Sequence, residues 1–165
     1  MFQVNDYVIY GQMGVCQVKE ISIPSFFADQ GKLYYTLDPL YQRGTVFIPV
    51  DTEVYMRPVM SREEAEELID MIPTVSAKTY SSSNVQDLNQ KYSEKLHSHD
   101  IESIISLINS IYLKKQNRQQ NNQKIGSVDE SYMKRAEMIL YGELAVALGK
   151  AIEEIPEYIA QRLGK

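Results

Sequence analysis

The chain has 165 residues, 44% of them hydrophobic, and a formal net charge of −5. That length holds one ordinary domain or two small ones, and the apolar share excludes wholesale disorder. The acidity excludes a simple nucleic-acid coat, and a single cysteine excludes an internal disulfide.

The charge is uneven. Residues 1–75 carry five Lys/Arg against eleven Asp/Glu, a net of −6, whereas residues 86–150 carry nine against eight, a net of +1. The N-terminus, Met1 to Asp6, has neither the basic nor the apolar part of a signal peptide. No apolar run approaches the roughly 18 residues of a membrane span. A reducing cytoplasm is the expected compartment.

Tyr7-Val8-Ile9-Tyr10 is the first predicted strand, followed by the turn Gly11-Gln12-Met13-Gly14. Gly14 to Ser22 alternates imperfectly, as expected of a strand in a small barrel, and places Cys16 as a buried thiol. Pro24 to Gly31 holds Phe26 and Phe27 in a loop or hairpin. Leu33 to Leu37 is a third strand stopped by Asp38-Pro39, Thr45 to Val50 a fourth and Val54 to Arg57 a fifth. Five short strands without an intervening helix predict a compact barrel. Ser61-Arg62-Glu63-Glu64 has the form of a capping box and opens a helix with Ala65, Leu68, Ile69 and Ile72 inward, ended by Pro73.

Residues 74–83 are rich in Ser and Thr. Ser83-Asn84-Val85-Gln86 then opens a helix with Val85, Leu88, Tyr92 and Leu96 in one stripe. After Asp100, Ile101, Ile104, Ile105, Ile108, Ile111 and Tyr112 share a face. Ser127-Val128-Asp129-Glu130 caps a further helix with Met133, Ala136, Leu140, Leu144 and Ala147 inward, and Ile155 to Leu163 forms a last one. The expected division is a barrel domain at 1–72, a linker at 73–83 and a helical domain at 84–165, an α+β two-domain chain.

Catalysis fits poorly. His97 and His99 lack a third metal ligand, and Asp100 is better used as a helix cap. Glu63, Glu64, Glu66 and Glu67 suit a helix N-terminus and a solvated face. Gly11 to Gly14 lacks the Lys-Ser/Thr ending of a phosphate loop. A non-enzymatic chain without metal or cofactor is expected. The basic group Lys114, Lys115, Arg118 and Lys124, with Lys134 and Arg135 on the next helix, reads either as DNA contacts or as cations at a helix C-terminus.

Val4-Asn5-Asp6-Tyr7-Val8-Ile9-Tyr10, Gly14 and Thr45-Val46-Phe47-Ile48-Pro49-Val50 resemble the RNA-polymerase-interacting domain of the CarD/CdnL family, also found in transcription-repair coupling factors. Lys134 to Ala145 resembles that family's C-terminal helix, in which a basic residue and Ala precede Leu-x-x-Glu-Leu-Ala. The resemblance spans about residues 2–148. It implies a bacterial transcription regulator whose Tudor-like barrel pairs an edge strand with the polymerase β subunit; a monomer is expected. It places Ser25, Phe26, Phe27, Thr45, Val46 and Phe47 at that edge. It also implies a helical domain that touches promoter DNA near the upstream edge of the −10 element and stabilises the open complex. Lys91, Lys114, Lys115, Arg118 and Lys134 are the matching DNA-side positions.

One departure stands out. The family commonly carries a Trp wedge at the start of the first C-terminal helix; this chain has no Trp, and Leu88 takes that position. Leucine can act as an apolar wedge, but the stripe it shares with Val85 and Tyr92 favours packing. Two other readings follow: a polymerase-bound scaffold whose helices meet a protein, and a small-barrel RNA-binding protein with Tyr34, Tyr35 and Phe47 as stacking residues.

Overall fold

Strands β1 (Tyr7–Tyr10), β2 (Gly14–Ser22), β3 (Tyr34–Pro39), β4 (Val46–Pro49) and β5 (Met56–Pro58) form one antiparallel sheet in the order β4-β3-β2-β1-β5. The structure is a computed structural model that describes residues 1–11, 13–26, 31–77 and 84–164. The turn between β1 and β2 uses Gly11 and Gly14 in left-handed conformation, φ 47° and 73°, which L residues rarely adopt. Strand β3 runs through Pro39, opposite Cys16, rather than stopping before it, and the ladder is carried on by Leu40 N–H donating to Val15 O at 3.1 Å. A register shift between Val18 and Glu20 interrupts the β2–β3 ladder. It accounts for the imperfect alternation of β2. Val8, Cys16, Val18, Tyr35, Leu37 and Ile48 close the core of this sheet.

Five helices follow: α1 (Arg62–Met71), α2 (Val85–Leu96), α3 (Ile101–Gln120), α4 (Ser127–Leu148) and α5 (Ile155–Arg162). The capping box of α1 is complete, with Glu64 N–H donating to Ser61 Oγ at 3.1 Å and Ser61 N–H donating to Glu64 Oε2 at 3.3 Å. Asn84 caps α2 and Asp100 caps α3 through their side chains; Ser83 lies outside the described residues. Helix α4 starts one residue earlier than Ser127 as cap implies. Gly126 is the cap, and its N–H donates to Asp129 Oδ2 at 3.3 Å.

The hydrophobic division falls between β5 and α1, not after residue 72. Ala65, Leu68 and Ile69 of α1 face the helical core beside Leu88, Tyr92, Ile105, Ile111, Leu140 and Leu144, because the apolar stripe of α1 points away from the sheet. The segment after α1 is docked as well. Asn109 Nδ2 donates to the carbonyls of Ile72 and Val75 at 3.1 and 3.4 Å, and Ser106 Oγ to that of Ser76 at 3.0 Å. Of the expected linker, residues 78–83 lie outside the described residues. Two stripe assignments change: Val85 and Tyr112 are exposed, and Leu107 is buried in their stead.

Cys16 is fully buried, and burial, reinforced by the nearby Asp38 carboxylate, pushes its thiol from 9.0 to about 11. It should therefore resist a thiol reagent in the native protein and react stoichiometrically once unfolded. Its folded value lies above the unfolded one, so the neutral thiol is favoured in the fold. The associated stability is present below the unfolded value and is lost as pH rises from about 9 towards 11. Thiol titration with and without denaturant, and melts across that window, check both expectations.

Candidate functional site

Among the described residues strand β4 is an edge of the sheet, paired with β3 through Leu37↔Val46, Thr36↔Phe47, Tyr35↔Ile48 and Tyr34↔Pro49. Its period of two sends Ile48 into the core and leaves Phe47 38% exposed. Phe26, 65% exposed, meets Phe47 edge-to-face with ring centroids 5.0 Å apart. Ser25 and Thr45 are exposed and Val46 is half-buried. The structure thus brings Ser25 and Phe26 together with Thr45, Val46 and Phe47 at one strand edge; Phe27 lies outside the described residues. A sheet edge is a place where a partner strand can add, and the aromatic pair gives this edge an exposed apolar patch.

The expected DNA-side residues do not form one cluster. Lys114 is buried, and its ammonium lies 3.1 Å from Asp129, whose carboxylate also accepts the Tyr92 hydroxyl at 2.6 Å. Lys114 is thus a core ion-pair residue tying α3 to α4 and α2, and the phosphate role assigned to it is withdrawn. Leu88, 7% exposed, belongs to the helical core, so the wedge role is withdrawn too. Lys91 is exposed and pairs loosely with Asp87 at 3.7 Å. Arg118 is half-buried and donates to Lys124 O at 3.1 Å. Lys115 is exposed and acts electrostatically on Glu137. Lys134, also exposed, stands beside Arg135 at a cleft towards the sheet. Tyr34 and Tyr35 are buried, which removes the stacking surface of the RNA-binding reading.

The residues that sequence reasoning missed join the two units. Glu143 of α4 is fully buried. Its carboxylate accepts Arg57 Nη1 at 2.6 Å, Arg57 Nη2 at 2.7 Å and Met60 N–H at 2.9 Å. The bond to Glu143, ahead of an opposing burial effect, raises the Arg57 guanidinium above its ordinary value. One residue earlier, Gly142 lets the Tyr41 ring lie against the helix: a Cβ there would stand 2.8 Å from Tyr41 Cε2. The Tyr41 hydroxyl donates to Gly142 O at 3.3 Å. Tyr55 stacks on His99 at 4.3 Å between ring centroids and 17° between planes. The signals were present: a lone carboxylate in the run Ile139 to Leu148, and a glycine inside a helix, both of which ask for a packing reason.

Among the described residues no group of three or more His, Cys, Asp or Glu could hold a metal ion, and no helix is long and apolar enough to cross a membrane. Residues 2–60 match the family model of the CarD-like/TRCF RID domain. The match ends before α1, close to the division between the two cores. No curated protein matches the chain.

Removing the two partners of the buried ion pair should have unequal effects. Arg57→Ala strands a fully buried carboxylate on a single backbone N–H and should cost about 3–5 kcal/mol. Glu143→Gln can keep the Met60 bond and leaves an arginine that is already 29% exposed and can turn to water, so it should cost clearly less. Denaturant melts of both variants check the order; equal costs would contradict this account of the pair.

Proposed function

We propose that this chain, whose residues 2–60 are a CarD-like RNA-polymerase-interacting domain, is a bacterial transcription regulator. It anchors on the polymerase β subunit by adding a strand at the β4 edge, and it modulates the stability of the promoter open complex through its helical unit. The observation that supports this reading is the β4 edge itself, with Thr45 and Phe47 exposed, Val46 half-buried between them and Phe26 against Phe47, within the matched residues. Strand addition gives affinity through main-chain hydrogen bonds without requiring positive charge. This suits a unit as acidic as residues 1–75.

Tethering then raises the local DNA concentration, so that weak contacts near the upstream edge of the −10 element suffice. Lys91, Lys115 and Lys134 are the exposed cations proposed for those contacts, with Arg118 at their margin. A second reading, in which the helical unit meets another protein, is favoured by the burial of Leu88 and Lys114, which takes away the wedge and one phosphate contact. In either reading the protein acts as a monomeric, non-enzymatic partner of cytoplasmic polymerase.

Phe47→Glu places a charge on the proposed anchor at a position outside both buried cores, and should abolish capture of polymerase by the full-length chain while costing only the Phe26 contact, about 0.5–1.5 kcal/mol of stability. Undiminished capture would remove the β4 edge as anchor. Neutralising Lys91, Lys115 and Lys134 together should flatten the salt dependence of promoter binding by roughly 2.7, at about 0.9 for each phosphate that no longer meets a cation. An unchanged slope favours the protein-scaffold reading.

A further inference from the structure

Between the sheet and the helices lies a cleft of about 290 Å³, of whose lining residues only Lys134 has a part in the proposed DNA contacts and none belongs to the polymerase edge. Its floor is apolar and comes from both units: Val15 of β2, Leu96 at the end of α2 and Ile139 of α4. Met13 and Met138 add flexible, polarisable walls, and Tyr41 closes the end that abuts Gly142. At the mouth stand two cations, Lys134 and Arg135, both exposed, and among the described residues no acidic side chain lines the cleft. Arg135 is held in place by its position over the Tyr132 ring, 4.9 Å from the centroid. Apolar clefts between structural units with a few convergent polar groups are the usual form of small-molecule sites, and this volume lies at the lower end of their range.

The geometry points to a binding site for a small anionic molecule with an aromatic or aliphatic body, seated with its apolar part on Val15, Leu96 and Ile139 and its acid group at the rim that carries Lys134 and Arg135. Apolar burial supplies the affinity, and the acid-free mouth selects the sign of the charge. A neutral molecule of the same shape gains only the apolar part of that affinity, and a cation is repelled. Because the floor is shared by the sheet and the helices, an occupant favours the docked arrangement of the two units, and docking in turn favours the occupant. The site thus supplies a route by which a metabolite-sized acid acts on the protein. Such binding needs neither polymerase nor DNA, so the site stands or falls separately from the proposed function.

The test uses the full-length chain alone with two fluorescent probes of similar shape, anionic 8-anilinonaphthalene-1-sulfonate and neutral N-phenyl-1-naphthylamine. Near-ultraviolet circular dichroism confirms native packing throughout, since the anionic probe also lights up loosened proteins. Saturable binding of the anionic probe at one site per chain is expected, with the neutral probe about tenfold weaker. The double variant Lys134→Gln/Arg135→Gln should weaken the anionic probe by a similar factor without weakening the neutral one. Met138→Trp, which fills the cleft from an exposed position and keeps both cations, should abolish both. No saturable binding, equal binding of the two probes, or binding unchanged in both variants would overturn the inference.

Discussion

The burial of Glu143 is the constraint on which the arrangement of the molecule depends. A carboxylate with no exposure inside a helix must be given donors, and here every donor comes from the segment that leaves the sheet: the two ends of the Arg57 guanidinium and the Met60 N–H. Helix α4 can therefore reach its native environment only when docked beside β5. The neighbouring Gly142 tightens the same requirement by admitting the Tyr41 ring where any Cβ would collide. A buried ion pair of this kind gains little net stability, because desolvating both charges offsets most of their attraction. Its role here is to set where the helices stand relative to the β4 edge.

A second buried polar group does the same work within the helical unit. Asp129 accepts from Lys114, Tyr92 and the Gly126 N–H, so one carboxylate ties together α2, the end of α3 and the start of α4. The two clusters divide the labour, Asp129 fixing the helices to one another and Glu143 fixing them to the sheet. Between them they leave Lys91, Lys115 and Lys134 at the surface, which is why the helical half can carry a near-neutral sum and still present positive charge.

Much of the fold was legible because local signals agree with the packing. The Ser61 box, the Asp100 cap and the stripe of Leu88, Tyr92 and Leu96 stand where their patterns put them. The grouping of Phe26 with Phe47 came only from the family resemblance, since nothing local says that Phe26 folds back against Phe47. Lys114 was misread for a physical reason: at the end of a helix, beside other cations, a lysine looks solvated, and only the fold shows that Asp129 of the following helix meets it. The reach of α1 was misread likewise. Its capping box predicts the helix but says nothing about which of two neighbouring cores its stripe will face.

The central claim is that an anchor at one edge of the sheet positions the helical unit through a rigid junction. The most direct test is the lifetime of a promoter open complex with wild-type protein and with Glu143→Gln, at a temperature where both are folded and both are captured by polymerase. The account predicts that Glu143→Gln binds polymerase but loses most of its effect on that lifetime. A full effect from the variant would contradict it.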